Sequence, residues 1–207
     1  MSTRIGIISD THSSTRPLLA ALEIFRAEDT DTIICAGDVA GYGEDELAET
    51  VSLLQQHHCH IVSGNHDMFE QTDNRPAEEL RDFFNALPKY LELTIEGKRL
   101  YIVHASPPDQ QHGGIKLLDQ SGQLIDAQLE SWQKQLNTDS DVLIVGHTHQ
   151  VFAQYIGHTL VINPGSTLYN HSCMILSLPE MRVSCYALEN KKIIKSWNWG
   201  LLFNQSS

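Results

Sequence analysis

Short apolar runs recur along the first 145 residues, and each breaks off at a polar residue of a restricted kind. Ile5-Gly6-Ile7-Ile8 stops at Ser9-Asp10, Thr32-Ile33-Ile34-Cys35-Ala36 at Gly37-Asp38, and Ile61-Val62-Ser63 at Gly64-Asn65. The run ending at Val103 meets His104, and Asp141 to Val145 meets Gly146-His147. Continuous apolar runs of this length predict strands buried on both faces. Helical patterns separate the first of them. Pro17 sits in a first turn ahead of Leu18, Leu19, Leu22 and Phe25, and residues 44–57 place Leu47, Val51 and Leu54 on one face. Strands alternating with helices predict parallel βαβ units.

Further helices are expected over Pro76–Ala86 and residues 124–136. Tyr90–Ile95 and Arg99–Val103, joined at Glu96-Gly97-Lys98, read as a hairpin. Residues 105–122, rich in Pro, Gly, Gln and Asp, read as a long functional loop. After His149 the pattern changes to consecutive strands near 151–156, 159–162, 172–178, 182–188 and 191–198. With no repeat or linker, the expectation is one α/β domain over residues 1–207. Its two mixed β-sheets pack as a sandwich flanked by helices.

Ligands of open α/β sheets bind beyond the carboxyl ends of the strands. Asp10, His12, Asp38, Asn65, His66, His104, His147 and His149 all fall there, so they are expected to converge. Four imidazoles (His12, His104, His147, His149), two carboxylates (Asp10, Asp38) and one amide (Asn65) make seven ligands. Nitrogen and oxygen donors without a thiolate suit Zn, Mn, Fe or Ni. If Asp38 bridges, each of two metals has four protein ligands and open positions. Residues two apart beyond a strand end are expected to point the same way, which lets each of Asp10-x-His12 and His147-x-His149 reach one cluster. Gly37, Gly64 and Gly146 are read as sharp-turn positions beside the metals.

These blocks, together with the Asn163-Pro164-Gly165-Ser166 turn, resemble the calcineurin-like metallophosphoesterases in identity and order from residue 5 to about 166. They look most like the small bacterial and archaeal phosphodiesterase branch. The resemblance implies that Asp10, His12, Asp38 and His149 hold one metal, and Asp38, Asn65, His104 and His147 the other. It makes His66 the catalytic histidine and Asp67 the residue that orients it. The implied activity is hydrolysis of a phosphodiester or phosphomonoester by a water activated at two divalent ions. Mn, Zn, Fe, Ni or Co would serve, with Mn the expected activator. Thr167-Leu168-Tyr169-Asn170 stand where many relatives carry a Pro-Arg pair, which removes one phosphate-facing cation. The retromer scaffold subunit resembles the same fold without catalysis, and an intact His66 argues against that alternative. Dinucleoside polyphosphate hydrolases and protein phosphatases share the same core.

Composition narrows the partners. Lys and Arg total 14 against 26 Asp and Glu, a formal charge of -12. That balance disfavours a nucleic-acid duplex or an anionic membrane and leaves a small phosphorylated substrate open. The four cysteines form no C-x-x-C pair, and Cys35 and Cys59 read as buried thiols of a reducing compartment. No signal pattern precedes the first strand and no apolar run could span a bilayer, so a cytoplasmic protein is expected. His57, His58 and His60 suit a helix end. His112 reads as a solvated loop histidine, and His171 as a weak pocket candidate. Tyr42 fits pocket lining and loop packing equally, and Trp132, Trp197 and Trp199 read as packing residues.

Overall fold

A computed structural model describes residues 2–41, 46–68 and 78–197. The strands are β1 (Thr3–Ile8), β2 (Thr32–Cys35), β3 (His60–Ile61), β4 (Tyr90–Ile95), β5 (Lys98–Val103), β6 (Val142–Ile144), β7 (Val151–Ile156), β8 (Thr159–Pro164), β9 (Ser172–Leu178) and β10 (Arg182–Ala187). The helices are α1 (Thr15–Ala27), α2 (Leu47–Gln56), α3 (Glu78–Ala86) and α4 (Asp126–Gln135). One five-stranded sheet runs β10-β9-β1-β2-β3 and the other β4-β5-β6-β8-β7. β1, β2 and β3 are parallel, as are β5, β6 and β8, while β9, β10, β4 and β7 join antiparallel. Both sheets are therefore mixed, as the alternating and then consecutive strand signals predict.

The period of two along each strand sorts side chains between layers. Ile5 and Ile7 of β1 face the other sheet, where they meet Leu100, Ile102, Val142 and Ile144. Ile8 faces the opposite way, onto Leu18, Leu22 and Phe25 of α1 and Leu54 of α2. A third cluster packs Leu129 and Trp132 of α4 against Val103, Leu143 and Val161. Fully burying each such aliphatic side chain contributes roughly 1.5–3 kcal/mol. Edge strand β4 alternates instead, with Tyr90 exposed and Leu91, Leu93 and Ile95 turned inward. Among the described residues no helix is long and apolar enough to cross a membrane.

The expected strand at 191–198 does not form over its described part. Ile194 N–H donates to the Asn170 carbonyl at 3.1 Å and Trp197 N–H to the His149 carbonyl at 3.1 Å, while the Lys195 carbonyl accepts from Val151 N–H at 2.8 Å. The segment thus pairs over residues 195–197 with residues 149–151 through a single bridge, and at Ile194 with Asn170, without forming a strand. Tyr42, residues 44–45, residues 76–77, residue 198 and Trp199 lie outside the described residues.

Candidate metal centre

The predicted ligands leave the carboxyl ends of strands in both sheets and meet at the seam between them. Asp10 and His12 follow β1, Asp38 follows β2 and Asn65 follows β3. His104 follows β5, and His147 and His149 follow β6 from the second sheet. The donor atoms of Asp10, His12 and His149 lie within 4.8 Å of one another, and so do those of Asp38, His104 and His147. A third set at that spacing, His12, Asp38 and His66, joins the two. His149 Nε2 stands 3.2 Å from Asp10 Oδ1 and 3.1 Å from His12 Nε2. His104 Nε2 stands 3.4 Å from Asp38 Oδ2. Asn65 Oδ1 lies 3.1 Å from His104 Nε2 and 2.8 Å from His147 Nδ1. His147 and His149 therefore enter different groups.

The backbone does not bring these residues together by strand alternation. Asp10, His12, Asp38, His147 and His149 all have left-handed φ, between 47° and 63°. For a non-glycine residue that conformation costs roughly 1–2 kcal/mol, so the surrounding bonds must hold it. Asp10 N–H donates to the Gly37 carbonyl at 2.9 Å and His12 N–H to the Asp38 carbonyl at 3.1 Å. Gly37 does turn through positive φ, at 93°. Gly64 and Gly146 serve close approach instead. A Cβ at Gly64 would run into Asp38 Oδ1, and one at Gly146 would sit 2.6 Å from Asp10 Oδ2.

A divalent cation fits this donor chemistry. The His104 Nδ1–H donates to the Ala36 carbonyl at 2.7 Å, which leaves Nε2 facing the ligand group. Burial opposes a charge on His104, yet Asp38 and then Asp10 raise its pKa to about 9. Burial lowers His12 to about 4, and burial followed by His104 lowers His147 to about 4. Burial works to raise the Asp10 carboxyl, but the imidazoles, His149 foremost, hold it well below the carboxylate range. His12 and His147 would thus offer neutral nitrogen donors at neutral pH, while His104 holds a proton that a cation would displace. Turning the Asn65 amide over would instead let its NH₂ donate to His104 and His147 at 3.1 and 2.8 Å. The oxygen-first orientation is the one a cation requires.

His66 is half-buried, with its ring edge-on to His12 at 5.1 Å and its N–H donating to Asp38 Oδ1 at 2.9 Å. Asp67 is fully buried. Its Oδ1 accepts from Ala40 N–H and its Oδ2 from Gly64 N–H, each at 2.8 Å, so it ties the Asp38 loop to the Asn65 loop. Burial and then the charge of Asp38 push its carboxyl up to about 7.

The sequence marks the Asn163-Pro164-Gly165-Ser166 turn but not what its side chains hold. Ser166 Oγ donates to the Asp10 carbonyl at 2.6 Å. Asn163 Nδ2 donates to the Gly146 carbonyl at 3.0 Å. Asn170 Nδ2 donates to the His149 carbonyl at 2.9 Å and the Ile194 carbonyl at 2.6 Å, and its Oδ1 accepts from Ser166 N–H at 2.7 Å. Buried asparagines in a turn were the one available signal. Tyr169 stacks on His149 at 5.4 Å and on Trp197 at 5.1 Å. His112, read as a solvated loop residue, is exposed but turns its ring to within 6.1 Å of His147. His57, His58 and His60 enter none of the ligand groups among the described residues. The charges around His171 are Lys191 and Glu189, not the ligand groups.

This chain is similar to a phosphodiesterase of Methanocaldococcus jannaschii, 27% identical over 166 residues that cover 78% of this chain and 82% of the relative. Its fold is similar to a metallophosphoesterase from Sphaerobacter thermophilus, with a TM-score of 0.68 at 22% identity over 91% of this chain and 90% of that one. It is also similar to vacuolar protein sorting 29 from Cryptosporidium parvum, with a TM-score of 0.60 at 21% identity over 92% and 94% of the two chains. The model of the calcineurin-like phosphoesterase superfamily domain matches residues 3–178, and the chain belongs to that superfamily.

Proposed function

We propose that the chain hydrolyses a small phosphoester at a pair of divalent cations that share Asp38. One observation carries this reading: Asp38 stands between the two ligand groups, with its donor atoms within 4.8 Å of His12 and His66 on one side and of His104 and His147 on the other. Asp10, His12, Asp38 and His149 would hold one ion, and Asp38, Asn65, His104 and His147 the other. When bound, such a pair neutralises phosphoryl charge and makes water a competent nucleophile near neutral pH. Manganese is the proposed activator.

The protein's own part is positional. Asp67 fixes the loop that carries Asn65 and His66. In hydrolysis a water oxygen bonds to phosphorus as the ester P–O bond breaks, and the departing alkoxide needs a proton. His66, at the rim and not required to complete either ligand set, is placed to supply it. The fold is shared by enzymes and by a sorting protein, so it does not decide between catalysis and scaffolding. The complete ligand set and His66 favour catalysis. The test is hydrolysis of bis-p-nitrophenyl phosphate with Mn, Zn, Fe, Ni or Co added and then chelated. Turnover that appears with metal and vanishes with chelator is expected. Silence with every metal would select the scaffold.

A further inference from the structure

A cleft of about 530 Å³ begins at the ligand His147 and extends to Trp197. That volume is within the range of roughly 300–1,000 Å³ typical of small-molecule sites. Two of its polar residues are already engaged. Gln150 Oε1 accepts from Leu117 and Leu118 N–H at 2.8 and 3.0 Å, and its Nε2 donates to the Leu118 carbonyl at 2.8 Å. Asp119 Oδ1 accepts from Ser121 N–H and hydroxyl and from Gln123 N–H, at 2.8, 2.8 and 2.9 Å. Lys116 and Gln120 line the cleft exposed and without such ties among the described residues. In a chain of charge -12, Lys116 is the cation bordering this opening.

Trp197 is held relative to the ligands. Its ring stacks on Tyr169 at 5.1 Å and 29°, Tyr169 stacks on His149 at 5.4 Å and 20°, and the Trp197 backbone N–H donates to the His149 carbonyl. A fixed indole offers a flat group a stacking partner at low entropic cost. Indole alone would take any flat ring. The Gln120 amide, with donor and acceptor side by side, matches the edge of a nucleobase.

We infer that this cleft is the subsite for the group retained on phosphorus, and that this group is a nucleoside. Its base lies against Trp197 and Gln120, and Lys116 faces an anionic oxygen. The substrate class is then a nucleoside phosphodiester. This rests on the phosphoesterase reading above.

The test compares two esters with the same leaving group, methyl p-nitrophenyl phosphate and thymidine 5′-(p-nitrophenyl phosphate), on the manganese-loaded full chain. Base stacking predicts a kcat/KM ratio of about ten- to a hundredfold in favour of the thymidine ester, expressed in KM. Trp197→Ala should bring the ratio close to one, and Trp197→Phe should restore most of it. Gln120→Ala, at an exposed side chain with no fold to disturb, should lower the ratio several-fold. Equal kcat/KM for the two esters in the unmodified chain overturns the subsite, as does a ratio that survives both alanine variants. Silence on both esters with every metal overturns the phosphoesterase reading, and this inference with it.

Discussion

His66 and Asp38 lie in the same small cluster yet should fail differently when removed. His66→Ala removes the proposed proton donor from the rim, so both metal positions should persist while kcat falls about 10²–10⁴-fold on alkoxide leaving groups. Metal content by elemental analysis together with steady-state rates checks this, and unchanged rates would show another group supplying the proton. Asp38→Ala removes the shared carboxylate and a bond to His66 N–H, so both metals and all turnover should be lost. Full occupancy in that variant would mean that the two sites are independent. The sequence made legible which residues converge, because His, Asp and Asn at the ends of apolar runs are hard to explain otherwise. It did not show the means. Alternation beyond the strand ends was the expected route, whereas Asp10, His12, Asp38, His147 and His149 reach the seam through left-handed φ. Single-residue φ has no periodic signature to read.

Between elements, side chains of the turns carry the precision. Glu46 precedes α2, and its Oε2 accepts from both N–H and hydroxyl of Thr15, at the start of α1, at 2.7 Å each. The Thr15 N–H and then its hydroxyl hold the Glu46 carboxyl below its usual 4.5. A carboxyl depressed in the folded state stabilises above its unfolded pKa and loses that contribution as pH falls through the folded value. Glu46→Gln should therefore lower the melting temperature at neutral pH, with the difference closing as pH falls through the lowered folded value and the native carboxyl is protonated too. A constant difference across that range would assign the effect to packing. Asn170→Ala deletes three bonds to buried backbone groups and should cost about 2–4 kcal/mol in urea unfolding, with weaker metal binding because the His149 carbonyl is released. Helix and strand positions were legible wherever a face is apolar. The segment at 191–197 was not, because its backbone bonds to separate loops around Asn170 and His149.

For the molecule as a whole, the pattern announced two mixed sheets but not which strand belongs to which. That follows from register and crossover, which sequence periodicity does not encode. Each ligand group draws on both sheets: Asp10 and His12 with His149, and Asp38 with His104 and His147. Metal held at a hundredfold over its dissociation constant adds about 2.7 kcal/mol per site, so stripping a pair should lower the melting temperature by roughly 10–20 °C. Calorimetry of the loaded and stripped protein reads this directly, and identical transitions would exclude metal from the seam.

Because both ligand groups straddle that seam, the cations would act as rivets between two plates that otherwise meet through grease and a few bonds such as Ser166 to Asp10. Stripping them should loosen the rims of both plates at once. Amide exchange would then quicken together after β1, β2, β5 and β6, while the aliphatic interior stays shut.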